Sequence, residues 1–404
     1  MIGVYKAVTF LLYLLFTPFF WIWFGRKERL ERKGIIKNNL ENCIWIHAAS
    51  LGEVNAVRPL INRLLNLHPH HNFCLSTVTR TGRSVAENIS PKLSSFYLPM
   101  DVSFLQKRLI RKINPVLVLL VETEFWPNML SELKKNKIPI VMINARISDK
   151  SYPRYRNSRF FWNKLWQAIA AVNAQSEKDA QRFESLHFRN VQNTHNLKFS
   201  LELPELNKKH LRKELGYLED DYIIVWGSSR PGEEKLLLSI YPELKRNISH
   251  LKLVIVPRHL HRISELKNLL KPQNMTLYSN LGKVNDILLV DEMGILTTFY
   301  ALADLAVIGG SFYNFGGHNP LEAAFYAVPI IIGNFYSSCR DSVHRLEENH
   351  GIVISNRKEL QKDILQLHQN PEKALRMGQN AKRTLQLHAD SLQENLQIIR
   401  KYIS

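Results

Sequence analysis

"ADLAVIGGSFYNFGGHNPLEAAFYAVPIIIG", residues 303 to 333, runs from an apolar strand through a glycine-rich turn into a helix and out to a second apolar strand. A helix between two strands is a crossover, and a crossover sets its strands parallel. "LAVIGG" (305–310) and "PIIIG" (329–333) are apolar throughout, as strands covered on both faces are. The helix opens with Asn319 as N-cap, Pro320 at its first position and Glu322 three residues after the cap, a capping box. Capping accounts for those three residues without any ligand. It leaves Gly309, Gly310, Gly316 and Gly317 unexplained. Bare backbone beside a helix N-terminus offers free N–H donors and a positive dipole end, which suits a phosphate.

The same alternation runs through most of the chain. Expected strands of the first half are "CIWIHAA" (43–49), "FCLSTV" (73–78), "VLVLLVE" (116–122), "PIVMINA" (139–145) and "AIAAVNA" (168–174). Between the first two, Val54, Val57, Leu60, Ile61, Leu64 and Leu65 recur at helical spacing. The pattern stops at the polar stretch "SLELPELNKKH" (200–210) and begins again with "YIIVWGSS" (222–229), "LKLVIVP" (251–257) and "DILLVD" (286–291). We therefore expect an α/β chain of two doubly wound domains, 34–204 and 205–385. Residues 1–33 stand apart before them, and a last amphipathic helix, about 372 to 402, has its final part (386–404) placed to cross back to the first domain. Ligands of such sheets bind at the carboxyl ends of the strands.

The 404 residues carry 54 Lys and Arg against 36 Asp and Glu, a formal charge of +18 that favours an anionic partner. Three widely spaced cysteines, Cys43, Cys74 and Cys339, exclude a disulfide framework and suit a reducing compartment. "HPHHN" (68–72) has no carboxylate at ligand spacing, and no metal is expected. From Ala7 to Phe24 no residue is charged, about the minimum for a bilayer span, and Arg26, Lys27, Arg29, Arg32 and Lys33 follow. Trp21, Trp23 and Phe24 occupy the place of a signal-peptide cleavage site. This reads as an uncleaved anchor with everything after it in the cytoplasm, and Pro18 leaves open a helix lying in the interface.

Several strand ends carry chemistry. In "WIHAASLGEVNAV" (45–57), Glu53 sits in a first helical turn, where a carboxylate is favourable on its own account, and also where a general base belongs. Glu122 and Glu124 close a fully apolar strand, and buried strand ends do not receive carboxylates for stability. Arg258, after "LKLVIVP", can pair with a phosphate or stand solvated in a loop. "NARISDKSYPRYRNSRFFWNK" (144–164) interleaves bases with aromatics, which beside an anchor points to an anionic membrane surface rather than nucleic acid.

With these residues in view, the chain resembles the 3-deoxy-D-manno-octulosonic acid (Kdo) transferases of lipopolysaccharide assembly. The resemblance rests on an ordered set: "SLGE" (50–53), "ETEFWPN" (122–128), "NARIS" (144–148), "LKF" (197–199), "GSSRPGEE" (227–234), "PRHLHR" (257–262), "ADLAVIGGS" (303–311) and "GGHNPLEAA" (316–324). It implies a GT-B glycosyltransferase fold, with two Rossmann-like domains and an active site in the cleft between them. It also implies transfer of Kdo from CMP-Kdo to lipid IVA, with inversion, without a cofactor or metal, at the cytoplasmic face of the inner membrane. By position, Glu53 matches the general base, and Glu122 and Lys198 match residues supporting the transition state. Pro257, Arg258, Met293, Gly294, Ile295, Asn319, Pro320, Leu321 and Glu322 match the CMP contacts. Some positions depart from the family pattern: Ile295 replaces an acidic residue, Arg230 a His, "HN" (195–196) the Gly before "LKF", and Ser200 the Asp after it. Two other readings stay open, a GT-B enzyme using a different nucleotide sugar and a catalytically silent binder; a donor panel and a transfer assay separate them.

Overall fold

The computed structural model describes residues 2–36, 40–201, 203–280, 282, 285–388 and 390–403. Glu202 of the expected linker lies outside them, as do the side chains of Phe20 and of Trp21, one of the expected interface aromatics. The chain divides into two compact units, Met1–Ser200 with Asp390–Ser404, and Leu201–Ala389.

Among the described residues the first unit holds a seven-stranded sheet: β1 (Cys43–His47), β2 (Asn72–Thr77), β3 (Leu93–Tyr97), β4 (Pro115–Val121), β5 (Ile140–Ala145), β6 (Ile169–Ala174) and β7 (Val191–Asn193). Its order is β3-β2-β1-β4-β5-β6-β7, with every pair parallel. Side chains alternate across it. Trp45, Val118, Leu120 and Met142 enter one core, while Ile44, Ile46, Leu119, Val121 and Ile143 enter the other. Such two-sided burial is why these strands are continuously apolar in sequence. Three helices are labelled for later use: α1 (Ile2–Trp23), α2 (Arg26–Arg32) and α3 (Leu51–Leu67).

The second unit repeats the plan with β8 (Tyr222–Ser229), β9 (Leu251–Pro257), β10 (Met275–Leu277), β11 (Ile287–Leu289), β12 (Leu305–Ile308), β13 (Ile330–Gly333) and β14 (Val353–Ser355). The order is β10-β11-β9-β8-β12-β13-β14, again all parallel. The strand order changes direction between β1 and β4 in the first sheet and between β8 and β12 in the second. These reversals are the topological switch points, where such sheets bind ligands.

The single helix expected over 372–402 is two helices, Pro371–Gln386 and Ser391–Arg400. They bury different cores: Ala374 and Met377 pack in the second unit, Leu392, Leu396 and Ile399 in the first. Asn395 fastens the latter, bonding Asn173 at 2.8 Å and Thr194 at 3.1 Å.

Candidate active site

At the switch point of the first unit, Ser50 is the N-cap of α3. Its hydroxyl accepts from the Glu53 N–H at 3.4 Å and donates to Glu53 Oε1 at 2.7 Å. The Ala49 N–H donates to Glu53 Oε2 at 2.8 Å. Glu53 therefore reaches back over its helix start much as a capping-box carboxylate does, but to the N–H one residue before the cap, and each oxygen takes only one bond, leaving about half of a carboxylate's acceptor sites open. Burial raises its pKa above the ordinary carboxylate value; the charges of Glu124 and Glu122 add to that, against the Ser50 and Ala49 bonds. A carboxyl moved toward neutrality is better matched to taking a proton at neutral pH.

Across the switch point, Glu122 follows β4 with φ +56°, a left-handed conformation that a non-glycine residue holds only under constraint. Its N–H is tied to the Ile143 carbonyl at 3.0 Å and its carboxylate lies 3.4 Å from Lys198 Nζ. Glu124 accepts from Trp126 Nε1 at 2.8 Å and lies 3.4 Å from Nε2 of buried His47, at the end of β1. The other ring nitrogen of His47 is 2.8 Å from Ser76 Oγ. His47 stands in a stretch whose reading had centred on Glu53; its place as the last residue of an apolar strand was the available signal.

In the second unit the glycine-rich turn differs from expectation. Most of its amides already have partners within the protein. Buried Glu233 takes them: Oε1 accepts from the N–H groups of Ser311 (3.0 Å) and Phe312 (3.1 Å), and Oε2 from Gly310 (2.8 Å) and Arg230 (2.9 Å). The Gly309 and Gly317 N–H groups bond the carbonyls of Gly227 and Gly310. What requires the glycines is close backbone approach and handedness: a Cβ on Gly309 would lie 2.4 Å from the Ser228 carbonyl oxygen, and Gly310, Gly316 and Gly317 have φ of +71°, +88° and +74°. The helix after them also starts later, at Leu321 with Pro320 as cap, and runs only to Phe325. Asn319 Oδ1 still accepts from the Leu321 N–H at 3.2 Å. So short a helix carries little dipole.

The positive charge here comes from side chains. Arg258, exposed at the end of β9 next to Pro257, makes no side-chain hydrogen bond among the described residues. Arg230 bonds His259 and lies 5.1 Å over the Phe315 ring. His318 is neutral near pH 7, because burial and then the charges of Arg258 and Arg230 bring its pKa down to about 4. Glu322 is held above the usual carboxylate range by burial, partly offset by Arg258. Met293, Gly294 and Ile295 follow β11 in an exposed turn. The residues matched to CMP thus follow β9, β11 and β12, three of the four adjacent strands β11-β9-β8-β12, while Arg230 follows the fourth. Sequence reasoning had assigned no role to Glu233, to His318, or to Glu234, which Arg262 grips with two bonds of 2.8 and 3.1 Å. Among the described residues, the one cluster of three potential metal ligands is Asp220, Asp221 and His250, at the opposite ends of β8 and β9.

Residues 25–201 match the family model described as 3-deoxy-D-manno-octulosonic-acid transferase, and residues 207–384 match that for glycosyl transferases group 1. A glycosyltransferase structure from Rickettsia africae covers 90% of this chain and 99% of its own with a TM-score of 0.54 at 14% identity, a likeness of fold alone. The two-unit architecture is a GT-B fold. A 3-deoxy-D-manno-octulosonic acid transferase of Haemophilus influenzae is 31% identical over 394 residues, 94% of this chain and 92% of that protein. A bifunctional glycosyltransferase/methyltransferase of Fusobacterium nucleatum is 37% identical over 341 residues, and the match spans 52% of its length. The chain belongs to the Kdo transferase family.

Proposed function

We propose that this chain transfers Kdo from CMP-Kdo to a hydroxyl of lipid IVA in lipopolysaccharide core assembly, with inversion and without a metal, attached to the cytoplasmic face of the inner membrane. The observation that carries the reading is Glu53: a buried carboxylate at a switch point, crowded by like charges, with acceptor capacity left on both oxygens. As the acceptor oxygen bonds to the anomeric carbon, its proton passes to Glu53. The bond from that carbon to the phosphate oxygen breaks, and CMP leaves as a stable phosphate monoester that needs no strong general acid. Arg258 opposes the charge growing on the phosphate, and Glu322 accepts from the ribose hydroxyls. Lys198, paired with Glu122, supports charge on the transferred sugar.

The test is transfer from CMP-Kdo to purified lipid IVA in detergent with EDTA, resolving products by mass and comparing the parent with Glu53→Gln. Product from the parent and a loss of about 10²-fold or more in the variant support the reading. No product with CMP-Kdo, but product with another nucleotide sugar, sinks it.

A further inference from the structure

We infer that α1 lies in the plane of the membrane interface, fastened at both ends to the catalytic unit, instead of crossing the bilayer; the inference rests on the reading of α1 as a membrane anchor. Hydropathy alone does not separate the two. Residues 2–19 have a mean hydropathy of 1.6, enough for a span. The pattern within the helix does separate them. Its polar side chains, Tyr5, Lys6, Thr9, Tyr13 and Thr17, fall on one face at spacings of three and four and are half-buried against the unit. Val4, Leu11, Leu15 and Ile22, spaced seven, four and seven apart, form the opposite stripe and are 64–79% exposed.

The polar face meets specific partners. Tyr5 donates to Asp101 at 3.1 Å, Lys6 pairs with nearly buried Glu132 at 3.3 Å, and Asn128 donates to Thr9 at 3.1 Å. At the far end, the Trp23 carbonyl accepts from Arg80 at 2.8 Å, and Arg80 also pairs with Glu28 of α2 at 3.1 Å. Asp101, Asn128, Glu132 and Arg80 all belong to the unit that carries Glu53. A helix of 22 residues is about 33 Å long, and a span sets its ends on opposite sides of roughly 30 Å of hydrocarbon. One water-facing unit cannot hold both ends of such a span. It can hold both ends of a helix lying flat.

Charge agrees with that pose. In α2 the acids Glu28 and Glu31 are buried, Glu31 accepting from the Tyr97 N–H of β3 at 2.9 Å. Arg26 and Lys27 remain exposed just past α1, where anionic headgroups lie. The pose also ties the membrane plane to the chemistry. Asn128 closes the "ETEFWPN" segment, so the residue that grips Thr9 lies six positions from Glu122, in the first turn of the next helix.

Gly3 lies in the first turn of α1 and Gly25 just past its end, and a Cβ at either would meet nothing within 4 Å. In a Cys339→Ser full-length background, with Cys43 and Cys74 buried, Gly3→Cys and Gly25→Cys are exposed in turn to a membrane-impermeant maleimide. The assay uses spheroplasts of a Gram-negative host, intact and then permeabilised, with membranes collected after a high-salt wash. The expected result is retention in the membranes and no labelling of either position until permeabilisation, then labelling of both. Labelling of Gly3→Cys from outside intact spheroplasts, with Gly25→Cys still protected, would establish a span and overturn the inference. Recovery of the chain in the supernatant would instead overturn the anchor reading beneath it, so the two failures are told apart.

Discussion

Glu53 and Glu233 invite comparison because each stands at the start of the helix that follows the first strand in chain order, β1 or β8, of its sheet. Each also accepts from backbone N–H, Glu53 from that of Ala49 alone. Glu233 is fully buried and takes four such donors, which saturates a carboxylate. Glu53 is 9% exposed, takes one donor on each oxygen and has Glu122 and Glu124 for neighbours. The same residue type in matching places thus becomes scaffold in one unit and a candidate base in the other. What separates them is the count of donors and the like charges beside Glu53.

Removing Glu233 should be the most damaging change to the fold. Glu233→Ala leaves buried N–H groups of Gly310, Ser311 and Phe312 without an acceptor, and urea unfolding should show a loss of about 3 kcal/mol or more. An unchanged unfolding midpoint would break the comparison. Glu53→Gln should keep its midpoint and lose about 10²-fold in turnover. Arg258→Ala should weaken CMP binding by roughly 10-fold or more, the worth of a charge-assisted hydrogen bond, and Arg258→Lys should recover only part of it. The smallest effect concerns pH. A general base acts in its ionised form, and the pKa of Glu53 is raised, so if Glu53 is the base turnover should fall on acidification at a pH above that of an ordinary carboxylate. Glu124→Gln removes a like charge, lowers the Glu53 pKa and should move that acid limb to lower pH. A shift to higher pH would show that Glu124 does not act on Glu53 as a charge.

How much of this was legible in the sequence divides along similar lines. The ten strands expected from apolar runs are the ten interior strands of the two sheets, and the four that went unread, β3, β7, β10 and β14, are the four edges. Edge strands need not be apolar on both faces: "LSSFY", "VQN", "MTL" and "VIS" are short and mostly half-exposed, so periodicity has little to detect. The glycines at 309, 310, 316 and 317 declared that no side chain would fit. They could not declare what lies against them, because Glu233 comes from 77 positions earlier in the chain. In α1 the spacing of Tyr5, Thr9, Tyr13 and Thr17 was present all along, but an average of hydropathy conceals a face.

The central claim, that Glu53 performs the chemistry while the second unit holds the donor, is tested most directly by titrating CMP into the parent and Glu53→Gln by calorimetry, alongside their rates of Kdo transfer. Equal CMP affinity and a rate lower by about 10²-fold in the variant are expected. A variant that loses CMP affinity in step with its rate, or that transfers Kdo at the parent's rate, would contradict it.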